Sequence, residues 1–232
     1  MSRAPARERA APLRAVLFDL DGTLLDTAQD LAAALNELRG QEGLAPLEFA
    51  RIRNHVSQGS AALVRIAFAS AGEAELRALR ARLLEIYRLA LAVHTRPFAG
   101  MLELLERIER DGRRWGVVTN KPAFLTEPLL EQLALRRRAG VVVSGDTLPE
   151  RKPHPRPLLH AAAQLGVAPE ASVYVGDAER DMRAARAAGM RAVVACFGYI
   201  APEETPRSWP ADAWVRSPLE IHAWLQGMDV SR

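Results

Sequence analysis

Short apolar runs alternate with amphipathic segments between residues 114 and 197, and this alternation constrains the fold more than any other feature of the chain. Runs at 114–119, 140–144, 172–176 and 191–197 are rich in Val and Ala and too short for buried helices. Stretches at 122–135, 155–165 and 179–188 separate them and carry apolar residues at helical spacing, as does a stretch near 102–110 that precedes the first run. Parallel neighbours need a crossover, and a crossover helix packs back onto the sheet. The pattern therefore predicts an α/β fold: a parallel sheet with helices on its faces. A further apolar run, LRAVLF at 13–18, predicts another strand of the same sheet.

Residues 28–93 read differently. Leu31, Leu35 and Leu38 form one helical stripe, and Leu63, Ile66, Ala67 and Phe68 a second. Leu76, Leu79, Leu83, Ile86, Tyr87 and Leu91 form a third, within a long helix predicted over 73–91. Each is a core stripe and needs no cofactor. Thr27 with Asp30 three residues on resembles a capping box, with Asp in place of the usual Glu. The expected organisation is a core of residues 13–27 and 94–232 with a helical insertion at 28–93. Residues 1–12 are Ala/Arg-rich without the apolar centre of a signal peptide and predict a disordered tail. Residues 201–210 are Pro-rich and predict an ordered loop.

Composition excludes several classes. Lys and Arg total 31 against 28 Asp and Glu, and arginine is spread along helices, so a nucleic-acid partner is not expected. No apolar stretch approaches the ~20 residues of a membrane span, so a cytoplasmic protein without a membrane partner is expected. A lone cysteine, Cys196, excludes an internal disulfide and sits in an apolar run that predicts a buried structural thiol. The five histidines show no metal-ligand spacing.

Polar clusters punctuate the apolar runs. Asp19-Leu20-Asp21-Gly22-Thr23-Leu24-Leu25-Asp26-Thr27 follows the first strand and places two carboxylates, a glycine and a hydroxyl where the chain must turn. Such a group is costly in a core unless paired, but suits a loop that holds a hard cation near a nucleophile. Thr119-Asn120-Lys121 ends a second run; taken alone it is ordinary capping chemistry. Lys152 in Arg151-Lys152-Pro153-His154-Pro155 precedes a helix and, alone, reads as a solvated lysine. Asp177 and Asp181 lie four apart across a helix start, so both can face one side; the bland reading is N-capping with a favourable dipole placement. All of these clusters fall at carboxyl ends of strands or in a loop leading into a helix. That is where open α/β sheets bind ligands.

The order and type of these clusters, DxDGTLLDT, VVTN, KP and GDxxxD over residues 13–197, resemble the four motifs of the haloacid dehalogenase superfamily. The resemblance implies a Rossmann-like core with helices on both faces and a small helical cap inserted after the first strand. It also implies a Mg2+-dependent phosphomonoesterase acting through an aspartyl-phosphate. In that scheme Asp19 is the nucleophile, and Asp21 is the general acid and base. Mg2+ is held by Asp19, the backbone carbonyl of Asp21, and Asp177. Thr119 and the backbone around Asn120 bind phosphoryl oxygens, Lys152 offsets charge, and Asp181 positions the metal's waters or Lys152. An acid at Asp21 disfavours haloacid hydrolysis, since family dehalogenases lack it.

The motifs are broadly similar to the phosphoglycolate phosphatase branch. Tracts at 92–101, 115–122 and 197–206, with Trp209, Ala211 and Asp212, more closely resemble the N-acetylmuramic acid 6-phosphate phosphatases. The expected partner is a small phosphorylated sugar or acid, in a monomer or homodimer. Candidates for specificity in the cap are Arg51, Asn54, His55, Ser57 and Gln58, each of which also reads as an ordinary exposed helix residue. Phosphoglycolate is the second substrate expected, and a phosphomutase or a catalytically silent binding protein on the same fold are the remaining alternatives.

Overall fold

The computed structural model describes residues 12–230, so the expected tail lies almost wholly outside the described residues. Six parallel strands form the sheet: β1 (Ala15–Phe18), β4 (Arg114–Val118), β5 (Val142–Val143), β6 (Ser172–Gly176), β7 (Arg191–Ala195) and β8 (Ala213–Val215). Their order is β5-β4-β1-β6-β7-β8. The inner strands β1, β4, β6 and β7 are buried on both sides and the edge strands β5 and β8 in part, and strand residues alternate between two apolar clusters as the pleat requires. Val16, Phe18, Trp115, Val117, Val173 and Val175 face α5 (Met101–Arg110), α6 (Ala123–Gln132) and α9 (Pro218–Val230). Ala15, Leu17, Val118, Tyr174 and Val194 face α7 (Arg156–Leu165) and α8 (Glu179–Ala187). Strand β8 has no counterpart in the sequence pattern, because its three residues, of which only Val215 is buried, are too short a run to register; helix α9 has no counterpart either.

The chain builds β1, β4 and β5 outward, then returns to place β6 on the other side of β1. Strands β1 and β6 therefore flank the point where the order reverses, with Phe18 in register with Val175. Ligands of such sheets bind in the crevice outside these strand ends.

Between β2 (Leu25–Asp26) and β3 (Arg96–Pro97) the chain inserts α1 (Ala28–Gln41), α2 (Phe49–Arg53), α3 (Ser60–Ala67) and α4 (Glu73–Leu89). The expected stripes pack on one another: Leu31, Leu35, Leu38, Leu63, Leu79, Leu83 and Tyr87 share one cluster, joined from the core by Leu125 and Tyr199. Strands β2 and β3 pair antiparallel and form the stem of the insertion.

The expected capping box at Thr27 does not form. Thr27 Oγ1 donates to Asp21 Oδ1 (2.7 Å), while the Thr27 and Ala28 N–H groups donate to the Tyr199 hydroxyl (2.6 and 3.0 Å). Asp30 instead accepts from His94 N, Thr95 N and Thr95 Oγ1, which ties the outgoing segment of the stem to the incoming helix. A long-range phenol and a returning backbone thus outcompete the local box. Cys196 is exposed, contrary to expectation, because β7 ends one residue earlier. Among the described residues no helix is long and apolar enough to cross a membrane.

Candidate active site

Asp19 follows β1 and Asp177 follows β6, so adjacent strands deliver them to the same crevice. The Asp19 N–H donates to Val175 O (2.9 Å), extending the pairing into the loop. Gly22 has a φ of +80°, and a Cβ there would lie 2.0 Å from Asp177 Oδ2, so only glycine lets this turn approach Asp177.

Asp19, Asp177 and Asp181 are buried, and each offers a carboxylate oxygen within 4.8 Å of the others. Two cations face them. Lys152, 3% exposed, places Nζ 2.9 Å from Asp19 Oδ1 and 2.8 Å from Asp181 Oδ1 and donates to the Tyr174 hydroxyl (2.6 Å). Arg180 lies 4.0 Å from Asp19 Oδ2 and donates to the Ser57 carbonyl. Three buried carboxylates against two cations leave a negative surplus. Burial first, then the Asp19 and Asp181 charges, push the Asp177 carboxyl up to about 7, against the pull of the Ser57 hydroxyl and the Tyr199 N–H.

The donor set suits a hard divalent cation. It consists of carboxylate oxygens, carries surplus negative charge, and includes Asp177 Oδ1, which is buried without a protein partner. Asp19 and Asp177 are the residues that would hold the ion. Asp181 is engaged otherwise, by Lys152 and by the Ala178 N–H (3.1 Å).

Asp21 belongs to a second network. Its Oδ1 accepts from Thr27 Oγ1 (2.7 Å) and from Lys121 Nζ (2.9 Å), and Lys121 also donates to Tyr87 Oη on α4 (3.2 Å). Burial opposes the Lys121 ammonium, but Asp21 and Tyr87 outweigh it and hold its pKa above that of an ordinary lysine. Burial pushes the Tyr87 phenol up to about 12, so it remains neutral. The network joins the sheet edge to the insertion.

A cavity of about 200 Å3 lies between the two regions, with Asp19, Asp21 and Thr119 on one side and Ser57, Arg80 and Tyr87 on the other. Thr119 and Asn120 line it as well. The Asn120 carboxamide, however, is engaged on both atoms with the Lys152 backbone (3.0 and 3.1 Å), so its side chain fixes the lysine loop rather than facing a ligand. Of the insertion candidates, Ser57 and Gln58 line the cavity, and Ser57 Oγ donates to Asp177 Oδ2 (2.5 Å). Arg51, Asn54 and His55 do not line it. Helix α2 buries only Ile52, Arg51 is exposed, and the His55 ring turns to the Arg51 carbonyl (2.9 Å). Arg180, Lys121, Arg151 and Arg80 border the cavity and were not singled out in the sequence, although the first three sit inside the polar tracts quoted above.

A family model described as haloacid dehalogenase-like hydrolase matches residues 16–195, and the chain belongs to that family. It is 47% identical over 216 residues to a phosphoglycolate phosphatase of Xanthomonas campestris, covering 92% of this chain and 98% of that protein. It is 44% identical over 210 residues to an N-acetylmuramic acid 6-phosphate phosphatase of Pseudomonas putida, covering 90% and 94%. A crystal structure of a predicted phosphoglycolate phosphatase from Haemophilus somnus superposes with a TM-score of 0.82 at 26% identity, covering 91% of this chain and 97% of that one. The chain is a phosphoric monoester hydrolase with a small phosphorylated substrate, and phosphatases of this family generally use a divalent metal.

Proposed function

We propose that this chain is a Mg2+-dependent phosphatase that hydrolyses N-acetylmuramic acid 6-phosphate through an aspartyl-phosphate on Asp19. The observation that carries the chemistry is the buried carboxylate trio, outnumbering its two cations beside a cavity. An Asp19 oxygen attacks phosphorus as the ester P–O bond breaks, and Asp21 gives its proton to the leaving alkoxide. Asp21 then takes a proton from water, whose oxygen attacks phosphorus and releases phosphate and free Asp19. Lys152 orients the Asp19 carboxylate, Asp181 positions Lys152, and Lys121 with Thr27 fixes Asp21. Thr119, the Asn120 backbone and Arg180 receive phosphoryl oxygens. Asp19, Asp177 and the Asp21 carbonyl would hold Mg2+, which when bound reduces repulsion between the anionic substrate and Asp19.

The sugar substrate is supported by the reach of the cavity into the insertion, by the tracts at 92–101 and 197–206, and by the Pseudomonas putida relative. The insertion acts as a cap, so binding energy from the sugar orients the phosphate and excludes water. The Xanthomonas campestris relative favours 2-phosphoglycolate as the second reading. Phosphate release from both compounds, with Mg2+ and after chelation, tests the proposal. The expected result is a higher kcat/KM on the muramic acid phosphate and no turnover without metal. A preference for phosphoglycolate replaces the first substrate with the second, and full activity after chelation refutes the metal.

A further inference from the structure

Arg80 carries a charge that the rest of the described chain leaves without an opposite. It sits midway along α4, on the stripe that also brings Leu84 and Tyr87, four and seven residues on, to the cavity. Its Nε donates to Ser60 Oγ (2.9 Å), which anchors the guanidinium at the cavity wall. Among the described residues no carboxylate lies within ion-pair distance of it, whereas its α4 neighbours Arg82 and Arg88 pair with Glu42 and Glu85. Leu63, Leu84 and Leu125 line the same cavity. A guanidinium fork beside apolar walls presents a planar set of donors that matches a carboxylate.

Resting on the phosphatase reading above, we infer that Arg80 receives a carboxylate of the substrate, one held a sugar ring's width from the phosphate. The spacing follows from the helix. Tyr87 meets Lys121, and Lys121 meets Asp21 at the reacting end. Arg80 lies seven residues from Tyr87, about 10 Å along the axis at a rise of about 1.5 Å per residue. A two-carbon acid puts only three bonds between phosphorus and carboxyl carbon, roughly 4 Å at ordinary covalent lengths. A hexose 6-phosphate with a lactyl ether on C3 puts eight bonds between them, and spans the helix stripe. Lys152 and Arg180 then serve the phosphoryl end, and Arg80 the far acid.

Matched pairs test this, because one member carries the carboxylate and the other lacks it, in the sugar pair together with the rest of the lactyl ether. The first is N-acetylmuramic acid 6-phosphate against N-acetylglucosamine 6-phosphate; the second is 2-phosphoglycolate against 2-hydroxyethyl phosphate. In the wild type the acid of the sugar pair should exceed its neutral partner in kcat/KM by about 10- to 100-fold, the range for a charge-assisted hydrogen bond. The two-carbon pair should show a far smaller ratio. Arg80→Gln should collapse the sugar-pair ratio, chiefly through KM, and Arg80→Lys should restore only part of it because an ammonium lacks the fork. Equal losses on both sugars would make Arg80 structural and overturn the inference. So would a wild type with no preference, a comparison that needs no variant to fold. A ratio lost in the two-carbon pair instead would overturn the sugar-length span. Failure of the wild type to hydrolyse any of the four compounds would refute the proposed substrates on which the inference rests, a result distinct from the others.

Discussion

The sheet edge and the insertion face one cavity with charges held in different ways. At the sheet edge Lys152 is buried between two carboxylates and the Tyr174 hydroxyl, and Asp181 and Asn120 hold it from side chain and backbone. On the insertion Arg80 has one anchoring hydrogen bond and a partly exposed side chain. A group that must meet a developing charge is best fixed in advance. A group that must receive a variable substrate retains unused donors. On the proposed function the contrast separates chemistry from recognition, and Ser57 and Tyr87 are two of the points where the regions touch.

The largest effect should come from the sheet edge. Asp19→Asn is nearly isosteric but a poor nucleophile, and should lower kcat by about 10⁴-fold or more, given accelerations of at least ~10⁶ in enzymes. Retention of more than about a hundredth of the wild-type rate, read by phosphate release, would break the division of roles. Lys152→Met should come next, seen in stability as well as rate. It strips two buried carboxylates of their shared cation, and breaking such a pair costs about 3–5 kcal/mol. Arg80→Gln, on the partly exposed wall, should change stability by about 0.5 kcal/mol or less. Similar urea midpoints for the two variants would erase the contrast.

The surplus charge at Asp177 gives a pH signature. Its pKa is raised from 3.8 to about 7, so the folded, metal-free protein holds the proton more tightly than the unfolded chain does. That contribution to stability is complete below pH ~4 and is lost as pH rises through about 7. The thermal midpoint of the chelated wild type should therefore fall relative to Asp177→Asn over this window, and Mg2+ should restore the wild type most at the alkaline end. A constant difference between the two proteins across the window would contradict it. The smallest effects should come from Arg51→Ala and His55→Ala, which lie off the cavity and should alter kcat/KM by less than about twofold. A selective tenfold loss on the sugar phosphate would return them to the site.

Much of the fold was legible because its signals are local. Apolar runs fixed where β4, β6 and β7 lie, and helical stripes marked the insertion, since period and length need no knowledge of the partner surface. The polar clusters stood out because each interrupts an apolar pattern at a turn, and their resemblance to a known family supplied the roles proposed for them. What escaped depends on contacts between distant segments. Ser57 reaches Asp177 across 120 positions, and Tyr199 caps α1 from 172 positions away, displacing the local box expected at Thr27. Nothing in the spacing of Arg51, His55 and Ser57 tells which of them faces the cavity. That is decided by the packing of Ile52 and Val56 against the other helices.

Acid-quenched turnover followed by peptide mass spectrometry tests the central claim most directly, since it asks which atom at the sheet edge meets phosphorus. With N-acetylmuramic acid 6-phosphate and Mg2+, the peptide containing Asp19 should carry a phosphoryl group on that residue, and Asp19→Asn should carry none. A phosphoryl group on any other residue, or steady turnover with no adduct on Asp19 at any quench time, would contradict the account.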